Sequence, residues 1–282
     1  DPFIGHYYAP KSVKNGIAMI CLGGSSGKPA YLNAAILASH GCPSVALSYF
    51  KGHHQSSHLV EVPIDQVQKA KDWLLQKEGV TQVGIMGCSK GAELALLSAA
   101  HFELNPIVLV SPSAYIFQGL GDYRHVKSSW TFKDKALDFL TLPMTGLKTA
   151  AFVARLILRR PHRFHALYEQ AIKDASAKDL KKATIPLDKI KASVCILSGE
   201  QDAVWPSAAM GETIKDALKS AQSVEHHVYK NAGHLVTSVL PKLPAYPISG
   251  KGMLLDFGGD VDSNTQANTE MWQKILNFLD QA

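Results

Sequence analysis

Short runs of consecutive apolar residues recur along the first part of the chain, and each ends in glycine or polar residues. Ile17-Ala18-Met19-Ile20-Cys21-Leu22 stops at Gly23-Gly24, and Val45-Ala46-Leu47-Ser48-Tyr49 and Val83-Gly84-Ile85-Met86 have the same form. A run without polar alternation suits a strand covered on both faces, which implies a parallel sheet. Between the second and third runs, Ile64, Val67, Trp73 and Leu74 recur at helical spacing, with Pro63 at the first helical position and Gly79 as the stop. The alternation continues with a helix from Lys90 to Ala100 and strands at Ile107 to Val110 and Val194 to Leu197. A helix near Ala208 to Ala221, a strand near Val224 to Tyr229 and a final helix through Trp272, Ile275, Leu276, Phe278 and Leu279 follow. Strands alternating with helices predict right-handed βαβ units around a mostly parallel sheet. From about Ser113 to Ala192 no strand is evident and two or three helices are expected. Residues 113–192 therefore read as a helical insertion, and 1–112 with 193–282 as the α/β core.

Composition narrows the class. With 282 residues, 46% of them apolar and 19% charged, the chain is that of a folded globular protein. No apolar run approaches the roughly 18 residues of a membrane span, and Arg155 interrupts the longest helical stretch, Ala150 to Leu158. The opening Asp1-Pro2-Phe3-Ile4-Gly5-His6 shows no targeting pattern. The four cysteines, Cys21, Cys42, Cys88 and Cys195, are widely spaced and read as small core residues, which fits a reducing, intracellular and rather cytoplasmic setting. Residues 122–191 hold 15 Lys and Arg against 7 Asp and Glu, whereas the rest of the chain holds 14 against 17. The middle of the chain is basic.

Gly87-Cys88-Ser89-Lys90-Gly91 fits G-x-S-x-G, between a predicted strand ending at Met86 and a helix carrying Leu94, Leu96 and Leu97. That strand-turn-helix context is what a nucleophile elbow requires. A serine hydroxyl needs a base, and the base an orienting acid. Two carboxylates, Glu200 and Asp202, follow the strand ending at Leu197, at the sheet edge where open α/β folds bind ligands. Asp202 reads as the acid, with Glu200 second. The loop Lys230-Asn231-Ala232-Gly233-His234 follows the next strand, and His234 reads as the base. His53, His54 and His58 lie in a serine-rich, solvated loop, and His101, His125, His162 and His165 read as surface residues. One of His226 and His227 is expected to pack and the other to face solvent. Oxyanion N–H groups are expected from Lys90, after the nucleophile, and from Ser25 in the Gly23-Gly24-Ser25-Ser26-Gly27 loop, with Gly24 the near alternative. Neither a Walker pattern nor G-x-G-x-x-G is present.

With these residues in place, the chain resembles the C-terminal catalytic domain of the acyl-CoA thioesterase and bile acid-CoA:amino acid N-acyltransferase family, a branch of the α/β-hydrolases. The resemblance rests on Gly84 to Leu96, on Ser198-Gly199-Glu200-Gln201-Asp202-Ala203-Val204-Trp205, on Asn231 to His234, and on Phe257-Gly258-Gly259 followed by Ala267 and Trp272. The family's acid stands three residues before a tryptophan, so the resemblance selects Asp202 over Glu200. Acyl-transferring members resemble this motif with cysteine as nucleophile. Serine at position 89 implies hydrolysis instead, Cys88 lying one residue early. Members usually carry an N-terminal β-sandwich domain, whereas Asp1 to Pro10 resembles only the approach to the hydrolase domain.

The resemblance implies an α/β-hydrolase fold and a serine hydrolase that cleaves acyl thioesters, acyl-CoA foremost; the insertion itself reads as a helical cap. A carboxylesterase or lipase-like activity on hydrophobic esters, or acyl transfer, is the alternative, and a non-catalytic α/β-hydrolase homologue that binds a ligand in the same pocket is the third reading. No cofactor, metal or nucleic-acid partner is expected. The helix from Leu147 to Leu158 is expected to cap Ser89, its apolar side toward the acyl chain and Arg159 and Arg160 toward an anionic head group or an acidic membrane surface.

Overall fold

The computed structural model describes residues 2–121, 126–235 and 253–282. The chain opens with an edge strand, β1 (Gly5–Tyr8), then β2 (Ile17–Leu22), α1 (Tyr31–Ser39), β3 (Ser44–Leu47), β4 (Val62–Pro63) and α2 (Asp65–Leu74). Next come β5 (Gln82–Cys88), α3 (Lys90–His101), β6 (Ile107–Val110), β7 (Trp130–Phe132), β8 (Lys135–Ala136), α4 (Gly146–Ile157), α5 (His165–Asp174) and α6 (Ala177–Ala183). A 3₁₀ turn at Leu187–Lys189 leads to β9 (Ser193–Gly199), α7 (Ser207–Ala217), β10 (Ser223–Tyr229) and α8 (Val261–Gln281).

Seven strands form the main sheet in the order β1-β3-β2-β5-β6-β9-β10. Every neighbouring pair in it is parallel except β1 with β3. Alternation along the buried strands divides the core in two. Ala18, Ile20 and Leu22 of β2 join the face carrying α2, α3 and α7, while Ile17, Met19 and Cys21 join the face under α1 and α8. From Lys90 to Ala100 every residue of α3 is buried, so this helix is covered all round, and Lys90, Glu93 and Ser98 are its buried polar side chains.

Three expectations need correction. The helix predicted from Pro63 begins at Asp65, because Pro63 belongs to β4, which pairs with β7. It ends at Leu74 rather than at Gly79, which takes φ +75° in the following turn. The insertion is not purely helical: β7 and β8 join β4 in a three-stranded sheet beside α4, α5 and α6. Strands of two or three residues carry too few positions to show a period. Among the described residues no helix is long and apolar enough to cross a membrane.

Candidate active site

The register of β5 delivers Cys88 opposite Val110 at the C-terminal edge of the sheet, and the chain reverses at the next residue. Ser89 takes φ 56° and ψ −123°, a strained conformation for an L-residue, while its N–H still donates to Val110 O at 2.9 Å. The flanking glycines are required by contact. A Cβ on Gly87 would stand 2.1 Å from Gly91 O, and one on Gly91 would stand 2.2 Å from Gly23 O. The turn therefore closes only with glycine at both ends, leaving Ser89 partly exposed over the helix N-terminus.

Asp202 and His234 meet behind it, each almost fully buried. His234 Nδ1–H donates to Asp202 Oδ2 at 2.8 Å, and the Ser207 hydroxyl donates to the same oxygen at 2.5 Å. Asp202 Oδ1 accepts from Val204 N at 2.8 Å and Trp205 N at 3.1 Å. The tryptophan of the motif is thus explained: its N–H holds the acid, and its indole N–H donates to Ser111 O at 3.2 Å. Ser111 Oγ in turn accepts from Leu235 N at 2.9 Å, tying the histidine loop to the end of β6. Glu200 is exposed and stands outside this network. The Cys88 thiol is buried and donates to Leu235 O, with 3.4 Å between the atoms.

Ser89 and His234 share the wall of a cavity of about 410 Å³. Its other described walls are the end of β2, the β2–α1 loop with Gly24, Ser25 and Lys28, the start of α1 with Leu32, and Cys88, Val204, Leu255 and Phe257. Gly24 backs directly onto the nucleophile, a Cβ there falling 3.4 Å from Ser89 Cβ. Tyr49 holds this loop, its hydroxyl lying 2.6 Å from Gly23 O and 3.1 Å from Gly24 O.

No residue of 113–192 is among those lining residues. Arg159 and Arg160 are exposed beyond the C-terminal end of α4, and no residue of that helix is buried. The expectation that the helix lays its apolar side over Ser89 is therefore not met by the described residues. Among the described residues, Lys28, at the rim, is the Lys or Arg that lines the cavity. Two histidines read as surface residues also differ. His162 is buried between Phe152 and Phe164, and His165 Nδ1–H donates to Asp202 O at 2.6 Å. His125 lies outside the described residues.

A buried ion pair lies under the elbow, which the i, i+3 spacing of the charges does not by itself reveal. Lys90 and Glu93 are both completely enclosed. Lys90 Nζ lies 2.9 Å from each Glu93 carboxylate oxygen and 2.9 Å from Ser129 Oγ. Glu93 Oε1 also accepts from Trp130 Nε1 at 2.7 Å. Burial pulls the Lys90 ammonium below its ordinary range and pushes the Glu93 carboxyl above its own, each opposed by the partner's charge. An i, i+3 Lys and Glu pair ordinarily reads as a solvated helix face. The available signal was its setting inside an otherwise apolar helix.

Away from the cavity, Cys195, Glu225 and His227 on β9 and β10 are, among the described residues, a group close enough to share a metal ion, their ligand atoms lying within 4.8 Å of one another. Burial, followed by the Glu225 charge, pushes the Cys195 thiol far up, which opposes its ionisation as a ligand.

Residues 62–282 match the model of the BAAT / Acyl-CoA thioester hydrolase C terminal family. The chain belongs to that family. The peroxisomal succinyl-coenzyme A thioesterase of Mus musculus is 24% identical over 255 residues, which are 87% of this chain and 55% of that protein. Acyl-coenzyme A amino acid N-acyltransferase 1 of Mus musculus is 25% identical over 268 residues, 93% of this chain and 58% of that protein. The chain spans somewhat more than half the length of these curated relatives. Among solved structures, the monoacylglycerol lipase of Paleococcus ferrophilus superposes with a TM-score of 0.57 at 12% identity, covering 99% of this chain and 98% of that one. The Pyrococcus furiosus esterase Pf2001 gives 0.52 at 14% identity, covering 99% and 92%. The fold is that of the α/β-hydrolases, a mostly parallel sheet between helices with the elbow after its third parallel strand in chain order.

Proposed function

We propose that this family member is a serine hydrolase of acyl thioesters, with acyl-CoA as its substrate class. The observation that carries the reading is Ser89, held in a strained elbow and sharing one cavity with an imidazole bound through Nδ1 to a buried, hydrogen-bonded carboxylate. In this reading His234 Nε2 takes the Ser89 proton as Oγ attacks the thioester carbonyl. The N–H groups of Lys90 and of Ser25 or Gly24 stabilise the oxyanion. Collapse of the tetrahedral intermediate expels the thiolate, which takes the proton back, and water attacks the acyl-enzyme by the same route. The carboxylate keeps the imidazole in the tautomer with Nδ1 protonated. The apolar walls Leu32, Leu255 and Phe257 suit an acyl chain, and Lys28 is placed to meet a phosphate at the rim.

Hydrolysis of uncharged hydrophobic esters is the second reading, favoured by Lys28 being the single Lys or Arg among the described lining residues. Thiol release across an acyl-CoA chain-length series, run beside matched p-nitrophenyl esters, separates the two. Labelling by a fluorophosphonate tests the mechanism. Wild type and Cys88→Ala should label and turn over, and Ser89→Ala should do neither above background. Turnover retained in Ser89→Ala but lost in Cys88→Ala would overturn the nucleophile assignment.

A further inference from the structure

An amphipathic surface helix ordinarily buries its apolar arc and turns its polar side to water. In α4 this relation is reversed. Only Lys148 and Phe152 are even partly covered, Phe152 by the rings of His162 and Phe164. At 100° per residue, Leu147, Ala150, Ala151, Val153 and Ile157, with Leu158 following, span an arc of about 160° that excludes both covered residues. All six are exposed, Leu147 at 83%, Ile157 at 74% and Leu158 at 67%. A contiguous apolar face of this kind marks an interaction surface rather than scattered surface hydrophobes.

Charge decides the occupant. Residues 139–168 contain five Lys and Arg, namely Lys148, Arg155, Arg159, Arg160 and Arg163, and no Asp or Glu. Arg155 borders the apolar arc on the helical wheel, and Arg159 and Arg160 extend it past the helix end. A second copy of this chain would bring the same cations face to face, which opposes self-association. An apolar arc bordered by guanidinium groups matches instead the boundary between acyl chains and acidic head groups of a bilayer.

We infer that α4 docks this chain on anionic lipid surfaces, Leu147, Ile157 and Leu158 entering the acyl boundary and Arg159 and Arg160 pairing with lipid phosphates and carboxylates. The helix is joined to the site by a short connection. His162 N donates to Leu254 O at 2.9 Å, and Phe164 N and His165 N donate to Ala203 O at 3.0 Å, beside the acid.

The test is co-sedimentation of the full chain with vesicles of phosphatidylcholine alone and of phosphatidylcholine with phosphatidylserine. It reads binding without turnover, so its outcome is independent of the proposed hydrolysis. Wild type should partition onto the acidic vesicles and lose that binding in high salt. Replacing Leu147, Ile157 and Leu158 together by Gln should weaken partitioning by roughly a hundredfold. These side chains are exposed, so circular dichroism should show the fold retained. Arg159→Gln with Arg160→Gln should weaken it by roughly twentyfold on acidic vesicles only. Absence of binding to acidic vesicles, binding indifferent to the three apolar changes, or a dimer in light scattering that those changes dissolve would each overturn the proposal.

Discussion

Lys90→Met removes the ammonium from a carboxylate that water does not reach. Glu93 keeps its bond from Trp130 Nε1, but it loses the cation that compensates its charge. The buried carboxyl then takes up a proton, and the cost of holding it neutral is set by the distance from its ordinary pKa of 4.5. At about 1.4 kcal/mol per pH unit, that is about 3 kcal/mol at pH 7, close to the 3–5 kcal/mol typical of a broken buried pair. The sign follows from linkage. A carboxyl whose folded pKa lies above its unfolded value binds more protons folded than unfolded, so its contribution is full below pH 4.5 and is lost as pH rises. The stability difference between Lys90→Met and wild type should therefore shrink below about 1 kcal/mol at pH 5. Urea unfolding at pH 5 and pH 7 measures it, with both proteins in the same buffers so that other titrating groups cancel. Lys90→Met with Glu93→Gln should recover stability at pH 7 and lose the pH dependence, since the amide oxygen still accepts from Trp130. A stability difference that is the same at both pH values would refute the reasoning, because it would mean that no ionised carboxylate depends on Lys90.

Asp202→Asn should lower kcat by about 10⁴, because the amide no longer selects the imidazole tautomer with Nδ1 protonated, whereas Glu200→Gln should leave kcat near wild type. Gly91→Ala drives a methyl group into Gly23 O at 2.2 Å and should cost about 1–3 kcal/mol in urea unfolding, together with a fall in kcat as the elbow and the glycine loop separate. The His226 side chain is enclosed between Glu212 and Ser198, and burial holds its pKa below 6.5 although Glu212 opposes this. The unfolded chain binds the proton first, so stability should fall as pH drops below 6.5, and His226→Gln should flatten that decline in urea midpoints between pH 7.5 and 5.5.

The sheet was legible because its strands are covered on both faces. Ile17 to Leu22 and Val194 to Leu197 have no polar side, and only a parallel core strand accepts that. The elbow was legible because G-x-S-x-G states a steric requirement that Gly87 and Gly91 meet. The edge strand β1 was not: its residues Gly5-His6-Tyr7-Tyr8 offer one short stretch with an exposed pattern. The outward turn of α4 was hidden for a different reason. Leu147 to Leu158 gives the same helical periodicity whichever side of the helix faces the protein, and only Phe152 against His162 and Phe164 fixes the choice. Lys90 and Glu93 were obscured because charge at i, i+3 is the commonest sign of a wet helix face.

The donors around Asp202 lie close along the chain. Val204, Trp205 and Ser207 follow it within five residues, whereas His234 arrives from 32 residues away. The acid is therefore satisfied mostly by its own turn, three of its four hydrogen bonds being local. The histidine is held from elsewhere, its backbone N donating to Phe257 O. A change that displaces the histidine loop therefore removes one of the four hydrogen bonds the carboxylate accepts and leaves the three from its own turn in place.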